Sequence, residues 1–152
     1  MTKLDLVNLF QSLHQVKELK GIKFAYSVIK NINIIKSEIE ALQKASESSL
    51  GFIEYEKKRM ELAKKFAKKD KGEPVIEGDR YILEDEKKFG KEWEKLKKEY
   101  EEEVGKREWQ IKQYNDLLME DSDIKLHKIK MADVPQDISV KLLEGIFAVI
   151  EE

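Results

Sequence analysis

Asp70-Lys71-Gly72-Glu73-Pro74-Val75-Ile76-Glu77-Gly78-Asp79-Arg80-Tyr81-Ile82-Leu83 is the stretch on which the reading of this chain turns. Gly72 suits the left-handed residue that ends a helix, and Pro74 disfavours helix in the residue before it, so a helix arriving from the N-terminal side must stop here. Val75-Ile76 and Tyr81-Ile82-Leu83 are short β-prone runs around a Glu77-Gly78-Asp79 turn, which predicts a small β-hairpin over 74–83. An isolated hairpin is marginal in water, so this one needs a helix or a partner to pack on.

Helical periodicity lies on both sides. Before the hairpin, Phe52, Tyr55, Leu62 and Phe66 form one stripe, with Arg59 at the remaining seam position. After it, Asp85 is placed to cap a helix in which Phe89, Trp93, Leu96 and Tyr100 recur at spacings of four, three and four. Val104 follows, and Ile111, Tyr114 and Leu118 continue that stripe after a gap, which predicts a stutter near Val104-Gly105. Helix, hairpin, helix implies two arms folded back antiparallel, the first aromatic stripe facing the second.

Farther out, Leu6, Leu9, Phe10, Leu13 and Val16 share a face of a first helix, over about 3–20, with Lys20-Gly21 as its cap or kink. Ile22, Ala25, Ile29, Ile32, Ile35, Ile39 and Leu42 form the next stripe, widened by Phe24, Val28 and Ile34. The polar run Ala45-Ser46-Glu47-Ser48-Ser49 leaves open whether 22–69 is one helix or two; a single one would span about 70 Å. Beyond the helix over 85–119, Ile124–Ile129 is a short strand candidate. Ile138, Leu142, Leu143, Ile146, Val149 and Ile150 make the apolar face of a last helix over 137–150, a face that the first helix is suited to cover. The expected fold is mainly α: long antiparallel, coiled-coil-like arms joined by a small β-hairpin, with a short strand and a C-terminal helix, in a single elongated domain over 1–152.

Composition agrees. Charged residues make up 39% of the chain and hydrophobic residues 41%, the balance of long helices with wide wet faces. The formal net charge of −2 offers no global attraction to nucleic acid or to anionic membranes. A local basic patch is present nonetheless: Lys57, Lys58, Arg59, Lys64, Lys65, Lys68, Lys69 and Lys71 outnumber Glu61 and Asp70. The chain has no cysteine, which excludes disulfides and thiolate chemistry. Met1-Thr2-Lys3-Leu4-Asp5-Leu6-Val7 does not read as a leader peptide, and no apolar run reaches membrane-spanning length. The expected location is the cytoplasm, that of the host if the protein is viral.

No catalytic constellation emerges. His14 and His127 are far apart with no histidine four residues away, which argues against a helical metal pair. The glycines are isolated and form no phosphate-cradling loop, and no Ser-His-Asp set can be assembled. No cofactor, metal or enzymatic activity is expected. Trp and Tyr carry much of the energy at protein interfaces, so Trp109, Tyr114, Tyr81 and Trp93 are the candidate interface residues.

The stretch Asp70–Leu83, preceded by Leu19-Lys20-Gly21 and a Lys/Glu-rich helix and followed by Glu84-Asp85 and another helix, resembles a family of small bacteriophage and prophage proteins, the domain of unknown function numbered 1617. The resemblance covers roughly residues 13–104, and Gly105–Asp123 looks like an extension to the family pattern. It implies a phage or prophage origin and brings no activity or catalytic residue with it. The helix–hairpin–helix layout is also similar in outline to prefoldin subunits, whose coiled-coil arms hold client proteins. The expected function is therefore non-enzymatic protein binding, as an assembly or structural component or as a modulator of a host protein. Self-association along the stripe Phe89–Leu118 is a companion expectation. The alternative is a nucleic-acid-associated protein that uses the basic helix 57–71.

Overall fold

A computed structural model describes residues 1–151. The chain is mainly helical with small strand pairs, two antiparallel and one parallel among the described residues. Two compact units make it up, where the sequence reading draws one continuous domain: Met1–Ser46 together with the chain from Gln113 onward, and Glu47–Lys112.

The first unit opens with α1 (Lys3–Val16). Thr2 and Asp5 form a reciprocal capping box, the Thr2 hydroxyl accepting from the Asp5 amide at 3.1 Å and the Asp5 carboxylate from the Thr2 amide at 2.9 Å. α1 ends four residues before the expected Lys20, because the chain turns over Lys17–Lys20 and brings Leu19 back onto the core. Gly21, at φ +123°, starts α2 (Ile22–Ser46), its carbonyl accepting from the Ala25 amide.

α2 buries most of the expected stripe, with its centre rotated toward Phe24, Val28 and Asn31. Phe24, Val28, Asn31, Ile35, Ile39 and Leu42 point inward, while Ile22 and Ile29 are exposed. Asn31 decides the rotation. Completely buried, it donates to the His127 carbonyl and accepts from the His127 amide, both at 2.8 Å. Its amide thus takes the place of a neighbouring strand for the extended segment after α5. Of the expected strand only Ile129 joins a ladder, in β5 (Ile129–Lys130), which pairs parallel with β6 (Ile150–Glu151). The last helix is likewise shorter than 137–150. α6 (Val140–Ile146) is capped by Ser139 and gives way to a 3₁₀ turn, Phe147–Val149, because the chain must then extend to pair with Ile129. α6 packs on α1, the cover the sequence suggested. Leu6, Leu9, Leu13, Val16, Ile146 and Val149 meet in one core with the inner face of α2 and Ile129.

In the second unit the open question about 22–69 resolves into two helices. Ser49 caps α3 (Leu50–Lys65), its hydroxyl accepting from the Phe52 amide at 3.1 Å. The return arm is α4 (Glu86–Glu99), capped by Asp85, and α5 (Glu101–Leu118), whose first part lies in this unit. Their only discontinuity is Tyr100, at φ −107° and ψ 23°. The break is therefore earlier than the expected Val104-Gly105, and it is a local backbone irregularity rather than a stutter.

The tip between the arms holds two hairpins rather than one. β1 (Lys69–Asp70) pairs with β2 (Glu73–Pro74), and β3 (Ile76–Glu77) with β4 (Arg80–Tyr81). The residues read as a helix stop form the first turn: Lys71 and Gly72 both take positive φ, the conformation of a tight two-residue hairpin. Gly78, at φ +63°, opens the second turn. A closed ring of backbone hydrogen bonds knits the tip together. Lys68 donates to Ile82 at 2.7 Å, Ile82 to Val75 at 3.0 Å and Val75 to Lys68 at 2.8 Å. Below it, the Glu84 amide donates to the Phe66 carbonyl and joins the ends of the two arms.

Candidate functional site

The helical hairpin of the second unit holds most of the residues singled out in the sequence, and its geometry follows from the seam. Rings pack in sequence along it. Phe52 and Tyr55 lie 5.7 Å apart by centroids, Tyr55 and Tyr100 5.8 Å, Phe89 and Trp93 6.0 Å, and Phe66 and Phe89 6.4 Å. The Trp93 indole N–H donates to the Tyr55 hydroxyl at 3.0 Å and joins the two groups of rings. This is the facing of aromatic stripes that the spacing predicted.

Beyond Tyr100 the seam departs from the expected Val104, Ile111 and Leu118. The heptad continues without a phase change through Glu103, Arg107 and Gln110, which are polar and half-buried. Glu103 accepts from the Ser49 hydroxyl at 2.8 Å, and Gln110 donates to the Glu47 carbonyl at 2.9 Å. The Arg107 guanidinium lies 5.7 Å from the Phe52 ring and donates to Gln110. Apolar character misplaced this half of the seam because hydrogen bonds, rather than methyl groups, fill it.

The two broad sides of the hairpin differ. In an antiparallel pair, positions just after the seam on one helix flank the equivalent positions on the other, and positions just before it do likewise. On the side that holds Lys58 and Glu99 the charges are paired. Lys58 bridges Glu54 at 3.5 Å and Glu99 at 3.8 Å, and lies 4.9 Å over the Tyr100 ring. The Tyr100 hydroxyl donates to Glu54 at 2.9 Å. That bond first, and Lys58 second, hold the Glu54 carboxyl below its ordinary range; Tyr100 and then the two glutamates hold Lys58 above its own. The opposite side carries Ile53, Met60 and Ala63 from α3 and Gly90, Val104 and Ile111 from the return arm. A cleft at its tip end is lined by Met60, Ala63, Tyr81, Leu83 and Phe89, with Arg59, Asp79 and Arg80 at the rim.

The candidate interface residues are thus spread out. Trp109 points outward on α5, 65% exposed. Trp93 is half in the seam, and Tyr81 is half-buried in the tip cleft. Tyr114 is half-buried in the last turns of α5, which belong to the first unit. The basic patch is also divided. Lys58 is engaged as described, Arg59 holds Glu56 through two hydrogen bonds at 3.2 and 2.9 Å, and Lys65 lies over the Phe66 ring. Lys57 and Lys64 share the outer face of α3. Lys68, Lys69 and Lys71 sit in the tip, where with Arg80 they face an equal number of acids, Asp70, Glu73, Glu77 and Asp79. No strong positive field can build there. The exposed aliphatics Ile53 and Met60, seven residues apart, were missed in the sequence although that spacing was visible.

Among the described residues no group of three His, Asp or Glu side chains is placed to hold a metal ion, and no helix is long and apolar enough to cross a membrane. No protein-family model, curated protein or solved structure matches the chain.

Proposed function

We propose that this chain is a non-enzymatic protein-binding protein of phage or prophage origin, working in the cytoplasm as an assembly component or as a modulator of a host protein. One observation carries the reading. In Glu47–Lys112 the buried hydrophobic side chains are Tyr55 and Ala67, while Leu50, Ile53, Met60, Ile76, Trp109 and Ile111 stay exposed. A hairpin with so thin a core and so much apolar surface gains by being covered, and tryptophan is enriched among the anchors of protein interfaces. The origin rests on the resemblance of Asp70–Leu83 and its flanking helices. The division of the lysines among ion pairs, a helix face and a balanced tip supports protein rather than phosphate as the ligand.

The test is capture from bacterial host lysate with the tagged chain and its Trp109→Ala variant, at low and at moderate salt. The expected result is a stoichiometric protein retained at both salts by the unaltered chain and lost by the variant, with helicity unchanged in circular dichroism. Retention of the same protein by the variant would refute Trp109 as the anchor. Nucleic acid captured at low salt only would favour the basic residues instead.

A further inference from the structure

The stripe Phe89–Trp93–Leu96–Tyr100 is engaged within the hairpin, with Phe89, Leu96 and Tyr100 half-buried and Trp93 bonded to Tyr55, so another surface is better placed for self-association. The broad side opposite the Lys58–Glu99 pair offers one, distinct from the outward Trp109. Its two helices carry complementary patterns with the same period. On α3, Ile53 and Met60 stand seven residues apart, 52% and 51% exposed, with Lys57 and Lys64 alongside at the same interval. On the return arm, Val104 and Ile111 stand seven apart beside Glu94, Glu101 and Glu108, also spaced by seven.

The return arm is hollow where this row of acids runs. Glu94, Lys97, Lys98, Glu101, Val104, Gly105 and Glu108 line a concavity of about 420 Å³, in which three acids outnumber two lysines. Gly105 does not sit at positive φ, and nothing lies within 4 Å of where its Cβ would be. The hollow is therefore the absence of a side chain, open to one from outside. A helix presenting an aliphatic knob with a lysine beside it would fill it, and α3 of this chain presents that pair.

We propose that this side of the hairpin binds a second copy of the same chain, about a two-fold axis parallel to the helices. α3 then lies antiparallel on α4–α5 of the second copy, and the reverse contact follows by symmetry. Such an axis keeps every residue at its own level along the hairpin. Tyr55 lies level with the stretch from Trp93 to Tyr100 inside the chain. Across the interface Ile53 therefore meets the Glu101–Val104 hollow, Met60 falls near Glu94 and Lys97, and Lys57 sits between Glu94 and Glu101. The result is a four-helix bundle whose neighbouring helices are all antiparallel. The complementary rows of charge are the reason for choosing a second copy over an unrelated helix.

Sedimentation equilibrium of the full chain, with circular dichroism as the control for folding, tests this. The unaltered chain is expected to dimerise. Lys57→Glu with Lys64→Glu, and separately Glu94→Lys with Glu101→Lys, are each expected to weaken the dimer by about tenfold or more with helicity intact. Mixing the two charge-reversed proteins restores opposite signs at both contacts and is expected to give a heterodimer of near-original strength. A monomer at every concentration would overturn the proposal, as would a dimer indifferent to both reversals or a mixture that does not pair. A monomer that instead binds an unrelated Lys-rich amphipathic peptide would overturn the choice of partner.

Discussion

Replacing Asn31 tests the account of the first unit at its most exacting point. Its side chain is completely buried and its two hydrogen bonds to the His127 backbone are both 2.8 Å long. In Asn31→Ala both bonds disappear, at a net cost of about 1 kcal/mol each. The vacated volume adds roughly another 1 kcal/mol, and the better helix propensity of alanine returns about 0.5 kcal/mol. The expected loss is about 2–3 kcal/mol, a large fraction of the roughly 5–15 kcal/mol that holds a domain together. In Asn31→Asp the carboxylate can still accept from the His127 amide, but it opposes the His127 carbonyl and is stripped of water. Burial and that carbonyl raise its pKa above the ordinary aspartate value, so the penalty is full at neutral pH and is relieved as pH falls through the raised value. The protonated acid then donates to His127 much as the amide did. Urea unfolding followed by circular dichroism, with hydrogen exchange at the His127 amide, measures both variants. Asn31→Asp should lose more than Asn31→Ala at pH 7 and recover toward the parent in acid. Equal losses at every pH, or unchanged protection at His127, would refute the paired amide.

Two further outcomes follow from the geometry. Tyr100→Phe removes the hydroxyl that lowers the Glu54 carboxyl, so the Glu54 titration seen by NMR should move up toward its ordinary value. In the parent, the lowered pKa contributes stability that is present above the ordinary glutamate range and lost as pH falls through the folded value, so the variant should show a weaker acid dependence. Gly145→Val places a Cβ 2.7 Å from Ser12 Oγ and 3.0 Å from Ser12 Cβ, where α6 crosses α1. It should cost about 1–3 kcal/mol in thermal unfolding, and Ser12→Gly should restore part of it.

Where apolar period alone sets the structure, the sequence was legible: the arms, their antiparallel return and the facing rings from Phe52 to Phe89. It failed where polar groups take up interior positions. Asn31 turned the buried face of α2 away from Ile22 and Ile29, since nothing local says that its amide meets the backbone of residue 127. Glu103, Arg107 and Gln110 took the seam from Val104 and Ile111, because Ser49, Glu47 and Phe52 supply partners 54 to 63 residues away in sequence. The first tip hairpin was hidden for a related reason: Lys71-Gly72 reads equally as a helix stop and as a tight turn. The interface residues were legible by type, and their dispersal over the hairpin was not.

The polar half of the seam also bears on why this hairpin suits binding. A seam of leucines could slide by a heptad at little cost, because every register buries similar surface. Here the Ser49–Glu103 bond, the Gln110–Glu47 bond and the Trp93–Tyr55 bond each require one register. Any slip breaks all three bonds, at about 0.5–1.5 kcal/mol apiece. The arms therefore give up hydrophobic burial along the seam and gain a fixed alignment, which holds Ile53 and Met60 in constant phase with Glu94, Glu101 and Glu108. A surface held in that way loses little freedom on association, and rigid presentation strengthens binding by lowering that cost. The thin core and the exposed aliphatic rows are then two consequences of one arrangement, in which the residues that could have filled the seam face outward instead.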